Sequence, residues 1–236
     1  MTDVAIIASG GANIASLRFA LDRLGVSSQL TSAADELRRA PRVILPGVGA
    51  APQRPQTTHF SIIDREGNLA AVTQTVSLPF GNGLVVPGTG FLLNNEMDDF
   101  SAKPGVPNAF GLVGEDANAI APGKRPLSSM SPTFIEGERG VAILGSPGGS
   151  YIPSMVLLGL MNWMAGADAM TIVTAPRLHH QFRPDSVFAE PAALSPDEQA
   201  GLVGRGHAIQ PWPATIGNLQ VVTWDFDSGR VDAASD

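Results

Sequence analysis

The spacing of hydrophobic positions predicts alternating strands and helices over the first 45 residues. Apolar residues 4–7 predict a strand, and Asn13 follows as a candidate helix N-cap. The apolar positions of the predicted helix recur at helical spacing and are Ile14, Leu17, Ala20, Leu21 and Leu24. Gly25 is expected to end this helix. Three more elements follow: a strand near 27–31, a short helix near 34–39 and a strand over 42–45. This is the pattern of an incomplete α/β segment.

From residue 57 onward the pattern is one of short strands separated by turns. Residues 57–64 and 69–77 are rich in β-branched side chains and flank a turn with Gly67 and Asn68, which predicts a β-hairpin. The same reasoning predicts a strand over 141–144, a buried helix over 152–165, a helix over 195–204 and a closing hairpin around 227–229. Strands and helices are therefore mixed in this part, as in an α+β fold.

The register of the first hairpin depends on its turn. A four-residue turn over 65–68 would place Thr57 opposite Val76, with Thr75 on the other face of the sheet. A three-residue turn with Gly67 in the left-handed conformation would bring Thr75 opposite Thr57. The sequence allows both registers, and the chemistry described below needs the second.

Composition narrows the class of function. The 236 residues are 44% hydrophobic and 16% charged, enough to bury a sizeable core. A net charge of -7 argues against a nucleic-acid partner, because phosphate binding needs a dense basic face. The absence of Cys excludes disulfides, cysteine nucleophiles and thiol redox chemistry. The most apolar stretch, residues 152–165, contains Asn162 and is too short and polar to span a bilayer.

Charge also indicates a domain boundary. Residues 1–56 carry a net charge of +2 and residues 57–236 one of -9. The stretch 47–56 between them is rich in Gly and Pro, which no regular element crosses easily. We therefore divide the chain into a segment over 1–52, a junction over 53–56 and a domain over 57–236.

Six motifs occur in order within this domain. They are TTHFS at 57–61, NNEMDDFS at 94–101, AKPGVPN at 102–108, KRPLSSMSP at 124–132, GSPGGS at 145–150 and APRLHHQ at 175–181. Together they resemble the small, catalytic subunit of gamma-glutamyltransferases along its whole length. The resemblance implies an α+β fold of the N-terminal nucleophile type. This is a four-layer sandwich of helices, two antiparallel sheets and helices, here preceded by the incomplete α/β segment.

The resemblance further implies that Thr57 is the nucleophile, freed by self-cleavage of the Gln56–Thr57 bond. A threonine hydroxyl attacks poorly until a base takes its proton, and a free α-amine with a pKa of roughly 7.7 to 8 can do so from the same residue. The implied reaction is transfer or hydrolysis of a gamma-glutamyl group from glutathione-like donors, through a gamma-glutamyl-threonine ester. It requires no cofactor.

Eight other residues receive roles from the same resemblance. Gly148 and Gly149 lie between a predicted strand and a helix, where backbone N–H groups are free for an anion, and they are assigned to the oxyanion. By the same resemblance, Ser128 and Ser129 bind the carboxylate of the substrate, and Glu96 and Asp99 bind its α-ammonium group. Thr75 supports the nucleophile, and Ser77 contacts the substrate. Many family members carry Asn where Ser77 stands, a departure that bears on the fine donor preference. Taken alone, these residues are also typical of ordinary glycine, acidic and serine turns.

His179 and His180 are adjacent and invite a metal or general-base interpretation. In an extended segment neighbouring side chains point to different sides, and no third ligand lies nearby in the sequence. We therefore predict structural roles for both histidines and assign no metal.

Residues 1–52 show a second resemblance. Residues 1–7, 12–13 and 43–50 (VILPGVGA at the last) resemble the N-terminus of the glutamine amidotransferase subunit of imidazole glycerol phosphate synthase. The cysteine that this family uses as nucleophile is absent, so an ordinary tight turn at 47–49 is favoured over a catalytic role. Two alternatives to gamma-glutamyl transfer follow: an incomplete amidotransferase subunit of histidine biosynthesis, or an inactive fused fragment.

The expected partners follow from the resemblance. They are a small gamma-glutamyl donor such as glutathione and the large subunit of the family, which supplies an arginine for the substrate's α-carboxylate and is absent from this chain. We expect neither a nucleic-acid partner nor a membrane span. The N-terminus lacks a basic start followed by a long apolar core, although the resemblance suggests a periplasmic or secreted protein.

Overall fold

The computed structural model describes residues 4–7, 18, 21–22, 25–46, 57–78, 80–101, 103–108, 112–181 and 183–236. The strands are β1 Val4–Ile7, β2 Ser28–Thr31, β3 Arg42–Pro46, β4 Thr57–Asp64, β5 Leu69–Thr75, β6 Thr133–Gly137, β7 Gly140–Gly145, β8 Leu178–Gln181, β9 Ser186–Ala189, β10 Ile209–Pro211, β11 Gln220–Asp225 and β12 Val231–Ser235. The helices are α1 Ala34–Arg39, α2 Ile152–Met164, α3 Ala169–Thr174 and α4 Pro196–Gly204. Single 3-10 turns occur at Glu96–Asp99, Asp116–Asn118 and Gly149–Tyr151.

The first sheet has the strand order β2-β1-β3-β4-β5. Strands β3, β4 and β5 pair antiparallel, whereas β1 pairs parallel with both β2 and β3. The strands predicted for the α/β segment therefore extend the sheet that holds the predicted hairpin. The predicted antiparallel pairing holds for β4 and β5. The whole sheet is mixed, because β1 to β3 of the α/β segment join it and run in the same direction.

The second sheet has the order β12-β11-β7-β6 and is antiparallel throughout. One face of this second sheet packs against β4 and β5, and helices α2 and α3 cover the other face. The described residues thus form a helix layer, the antiparallel sheet and the mixed sheet, in that order. A small third sheet, β10-β9-β8, lies beside α2. The chain is therefore an α+β protein with several antiparallel pairings.

Strand β7 is the centre of this packing. All six of its residues are buried, which requires an apolar sequence on both faces. Val141 and Ile143 face the first sheet and pack near Ile63 and Ala71. The alternate side chains of β7, Ala142 and Leu144, face the helices and belong to the main core cluster. The other buried members of this cluster are Trp163, Ala169, Ile172, Val173, Leu219, Val221 and Ala234.

Helix α2 is buried on one side only. Its inner face carries Met155 and Val156, both at most 3% exposed, but Leu157, Met161 and Met164 on the outer face are 57 to 70% exposed. The prediction of a buried helix is therefore wrong for this outer face, because the sheet covers the helix from one side. No helix in the described ranges is long and apolar enough to cross a membrane.

Local sequence signals account for several element ends. Ser195 accepts a hydrogen bond from the N–H of Glu198, whose side chain accepts one from the N–H of Ser195, and this capping box starts α4. Gly25 has a φ of 71°, and its N–H donates to Asp22 O at 3.0 Å, as at a helix C-terminus. Most of the helix predicted before Gly25, including its N-cap Asn13, lies outside the described residues. The junction predicted over 53–56 lies wholly outside them.

Candidate active site

Strands β4 and β5 place Thr57 directly opposite Thr75. The turn between them has Gly67 at a φ of 82°, and the N–H of Asp64 donates to Asn68 O at 3.1 Å. This is the three-residue turn with a left-handed glycine, a conformation that a side chain would strain. The second of the two predicted registers is therefore confirmed, and both threonines lie on one face of the sheet.

Thr57, at the start of β4, and Thr75, at the end of β5, line one pocket. Of the other residues singled out from the sequence, this pocket contains Ser77, Glu96, Asp99, Ser128, Ser129 and Gly149. Five different segments of the chain contribute these residues. Gly148 is not among the lining residues and lies one position before Gly149 in the same turn.

The segment after β5 is held in an unusual conformation at the pocket. Ser77 has a φ of 68°, a region that non-glycine residues seldom occupy, and only 3% of its surface is exposed. Its N–H donates to the Oγ1 atom of Thr75 at 2.8 Å. Its own Oγ atom is buried without a hydrogen-bond partner among the described residues. Strain and an unpaired polar atom at one residue are typical of functional sites.

The acidic 3-10 turn brings Glu96 and Asp99 into contact. Burial raises the pKa of Glu96 to about 7, and a shared hydrogen bond with Asp99 and the charge of Asp99 act in the same direction. The Oε1 atom of Glu96 is buried without a partner in the part of the chain that the structure describes. Two carboxyl groups in contact, one with a strongly raised pKa, are typical of functional sites.

Asparagine side chains fix this acidic turn in place. Asn95 accepts a hydrogen bond from the N–H of Leu78 at 3.0 Å, which ties the turn to the end of β5. Asn118 donates to Asp99 O at 2.7 Å and accepts from the N–H of Leu127 at 3.0 Å. Through Asn118 the acidic turn is joined to the loop that carries Ser128 and Ser129, so the two groups of polar side chains keep a fixed spacing.

The glycine turn begins where β7 ends. Gly148 has a φ of 141° and would place a Cβ atom 2.7 Å from Met155 Cε, so this position requires glycine. Ser146 is fully buried and donates to Asn218 O at 3.0 Å, which fixes the turn to the loop before β11. The turn leads through Gly149–Tyr151 into α2, and its N–H groups lie at the start of a helix, where an anion is favoured.

Comparison with known proteins places this geometry in a family. The family profile described as Gamma-glutamyltranspeptidase matches residues 21–236. The chain belongs to this family. The match begins well inside the segment over 1–52 that resembles an amidotransferase subunit, and none of the comparisons supports that second resemblance.

Curated relatives and solved structures of the gamma-glutamyltranspeptidase family agree. The chain is 48% identical over 196 residues to the glutathione hydrolase proenzyme of Escherichia coli K12, an alignment that covers 82% of this chain and 33% of that protein. It thus spans about a third of the length of this relative. A mutant of the Helicobacter pylori gamma-glutamyltranspeptidase is 40% identical, with a TM-score of 0.68, over 75% of this chain and 96% of that chain. The Pseudomonas nitroreducens enzyme is 43% identical, with a TM-score of 0.65, over 75% and 93%.

Some residues at this gamma-glutamyltranspeptidase-like site were missed by the sequence analysis. Leu112, Met130, Ser150 and Ile152 also line the pocket. His59 was missed as well, although it lies two residues after Thr57, a spacing that puts both side chains on the same face of a strand. Alternation along β4 was the signal that could have found it. The Asn118 bridge had no such signal, because it depends on two loops meeting.

The adjacent histidines of β8 lie on opposite sides, as the extended segment predicts. His179 is buried, with its Nδ1 atom 2.8 Å from Ser154 Oγ and its Nε2 atom 3.0 Å from Gln181 Oε1. His180 is exposed and its Nε2 atom lies 2.8 Å from Asp185 Oδ1. His179 also packs against Tyr151, with ring centroids 4.2 Å apart and ring planes tilted by 48°, which is a packing role.

Proposed function

We propose that the chain carries the catalytic centre of a gamma-glutamyltransferase or glutathione hydrolase, with Thr57 as the nucleophile. The observation that supports this most directly is the position of Thr57 at the first residue of β4, opposite Thr75 and in one pocket with Glu96 and Ser129.

The proposed fold is the N-terminal nucleophile type. The two facing sheets and the helix layer of α2 and α3 are three of its four layers. The structures from Helicobacter pylori and Pseudomonas nitroreducens, at TM-scores of 0.68 and 0.65, support this assignment. In such a fold the nucleophile begins a strand, and its own α-amine serves as the base.

The proposed reaction has two halves. In the first, Thr57 Oγ1 attacks the γ-carbonyl carbon of the donor while the α-amine of Thr57 takes the hydroxyl proton. The resulting oxyanion accepts hydrogen bonds from N–H groups of the turn at Gly148 and Gly149. The C–N bond then breaks, the leaving amine takes the proton, and a gamma-glutamyl-threonine ester remains. In the second half, water or an acceptor amine attacks the ester and restores the hydroxyl.

The polar groups at the far end of the pocket suit the amino acid end of a gamma-glutamyl group. Glu96 and Asp99 would bind its α-ammonium, because an ammonium neutralises two carboxyl groups that otherwise repel each other. Ser128 and Ser129 would donate to its α-carboxylate. Glutathione is the proposed donor, in keeping with the name glutathione hydrolase that the Escherichia coli relative carries.

A partner polypeptide is part of the proposal. Residues 80–93 form a hairpin in which the N–H of Leu93 donates to Leu84 O at 2.9 Å. Its large apolar side chains Phe80, Leu84, Val85 and Phe91 are 56 to 75% exposed. Exposed large apolar side chains grouped on one hairpin favour coverage by another chain. The proposed cover is the large subunit of the family, since about two thirds of the Escherichia coli relative has no counterpart here.

The proposed activity requires cleavage at Gln56–Thr57. While this bond is intact the nitrogen of Thr57 is an amide without a basic lone pair, so the base is missing. The relatives' name of proenzyme agrees with a processing step. Intact mass spectrometry during incubation of the purified chain, with the large subunit of a relative added, would reveal a fragment that starts at Thr57.

The same preparations test the chemistry. We expect release of the anilide from a gamma-glutamyl anilide by cleaved wild type, reduced but measurable release by Thr57→Ser, and none by Thr57→Ala. Thr57→Ser is the matched control because it keeps both the hydroxyl and the α-amine. Turnover by a chain still intact at Gln56–Thr57, or by Thr57→Ala, would contradict the proposal.

A further inference from the structure

A polar group lies in the layer between the two sheets, below the candidate nucleophile. The side chains of Thr57, His59 and Ser61 alternate onto the inner face of β4, while Thr73 and Thr75 do so on β5. This face is apolar at its far end, where Ile63 packs with Val141 and Ile143 of β7. The polar group therefore connects the pocket to the core of the sandwich.

His59 is the centre of this group. It is fully buried, with its Nδ1 atom 2.8 Å from Thr73 Oγ1 and its Nε2 atom 3.0 Å from Ser61 Oγ. Burial lowers the pKa of His59 to about 4, so the ring is neutral at physiological pH. A neutral imidazole has one donor and one acceptor, and both hydroxyl partners can adapt to either tautomer. The ring is thus fixed in position by both strands of the hairpin.

The ring touches the second sheet at the residue that opens the glycine turn. A Cβ atom on Gly145 would lie 2.0 Å from His59 Nδ1 and 2.3 Å from its Cγ and Cε1 atoms. The imidazole therefore lies flat against the Gly145 backbone, an approach that only glycine permits. From Gly145 the chain continues through Ser146 to the oxyanion residues proposed above, Gly148 and Gly149.

The glycine turn has a second support, at Met155. A Cβ atom on Gly148 would lie 2.7 Å from Met155 Cε, and one on Gly217, in the loop before β11, would lie 1.9 Å from Met155 Sδ. The chain after β7 therefore contacts His59 at Gly145 and Met155 at Gly148. Because packed interiors have little free volume, loss of the His59 contact would move the turn relative to β4.

We propose that His59 is a positioning residue, which sets the distance between Thr57 on β4 and the Gly148–Gly149 turn after β7. The inference rests on the proposed function, since it concerns the spacing of that nucleophile and that oxyanion site. His59 touches neither the donor nor the reacting atoms in this role. It acts through Gly145 and through the two strands that it joins.

A split between kcat and KM tests this role. The groups proposed to bind the donor's amino acid end, Glu96, Asp99 and Ser129, are independent of His59. We therefore expect His59→Ala to lower kcat about 10- to 100-fold, as misplacement by about 1 Å does, with KM changed less than about twofold. His59→Asn keeps a polar atom near the Nδ1 position for Thr73 and should recover part of the loss. His180→Ala, which removes an exposed histidine, is the matched control and should keep wild-type kcat and KM.

A pair of substitutions tests the direct contact by a measurement that does not depend on turnover. Gly145→Ala should lower the melting temperature strongly, because its Cβ atom would overlap the imidazole. In the double variant His59→Ala/Gly145→Ala the new methyl group would enter space that the ring has left. We expect its melting temperature to exceed that of Gly145→Ala, a non-additivity typical of residues in contact. Additive losses would contradict the contact.

The outcomes separate the two proposals. Equal turnover by wild type and Thr57→Ala would remove the proposed reaction and the positioning role with it. Wild-type turnover together with an unchanged kcat in folded His59→Ala would overturn the positioning role alone. A large rise in KM at constant kcat would also overturn it, because the ring would then act on donor binding.

Discussion

The hydroxyl oxygen of Thr75 accepts a hydrogen bond from the N–H of Ser77 at 2.8 Å. Ser77 is thereby held at a φ of 68° beside the pocket, while Thr75 itself lies opposite Thr57. The Thr75 hydroxyl thus connects the strand beside the candidate nucleophile to Ser77, a residue predicted to contact the substrate. This link is the basis of the first prediction.

Thr75→Val should lower kcat about 5- to 150-fold, the loss expected for a buried hydrogen bond of about 1 to 3 kcal/mol. Valine has the shape of threonine but leaves the N–H of Ser77 unpaired. Thr75→Ser should keep most of the activity, and Gln74→Ala, on the exposed face of β5, should have no effect. Steady-state kinetics with a gamma-glutamyl anilide would measure these differences. Full activity in Thr75→Val would rule out support of the nucleophile.

Asp99→Ala and Ser129→Ala should weaken donor binding more than they harm folding. Both residues line the pocket on turns, and loss of a hydrogen bond to a charged group typically costs about 1.5 to 3 kcal/mol, or roughly 10- to 150-fold in affinity. We expect KM to rise while the melting temperature changes little. Wild-type KM in an active preparation of either variant would show that the pocket is assigned wrongly.

Donor binding should strengthen as pH rises through about 7, the raised pKa of Glu96. Below this pH the carboxyl group is protonated and cannot pair with an ammonium, so affinity should fall by up to tenfold per pH unit. Calorimetric titration of the Thr57→Ala variant with glutathione between pH 5.5 and 8.5 would measure binding without turnover and without the α-amine base acting in catalysis.

Two variants give this pH dependence its controls. Glu96→Gln should bind weakly at every pH. Asp99→Asn removes the neighbouring charge that helps to raise the pKa of Glu96, so the transition should move to lower pH. A transition near pH 7 that persists unchanged in Glu96→Gln would assign the titration to another group.

The buried histidine predicts a loss of stability in acid. The pKa of His59 is about 4 in the folded chain and about 6.5 when unfolded, so the unfolded chain binds a proton first as pH falls. The stability that depends on the neutral ring is complete above pH 6.5 and declines as pH falls toward 4. The total loss is about 3 kcal/mol at pH 4. His59→Asn, which cannot titrate, should show a flatter melting temperature between pH 6.5 and 4.5. Parallel curves for the two proteins would refute this origin.

The hairpin illustrates how far sequence reasoning reached. Alternating β-branched residues and a Gly-Asn turn predicted β4 and β5, but two registers remained possible. The choice between them depended on the conformation of Gly67. A Cβ atom at this position would lie 3.4 Å from Trp224 Cη2, on the facing sheet. A contact between distant strands therefore accompanies the turn, and no local pattern contains it.

Helix α2 and the first sheet illustrate where the predictions failed. The apolar run of residues 152–165 is compatible with burial on all sides, yet only one side of α2 meets the sheet and Met164 is 70% exposed. Similarly, β1 and β3 were predicted as strands, but their membership in the sheet of β4 and β5 depends on backbone hydrogen bonds between segments far apart in the chain. Hydropathy indicates how apolar a segment is and leaves its neighbours undetermined.

The sequence by itself determined the residue types of the candidate site and the elements that carry them, because strand alternation, turn residues and the six motifs are local properties. Tertiary structure alone decided that Glu96 would be buried beside Asp99, that Asn118 would join the acidic turn to the serine loop, and that His59 would lie against Gly145. Each of these contacts joins segments from 3 to 86 residues apart, and a pKa or a close approach depends on the packing that brings such segments together.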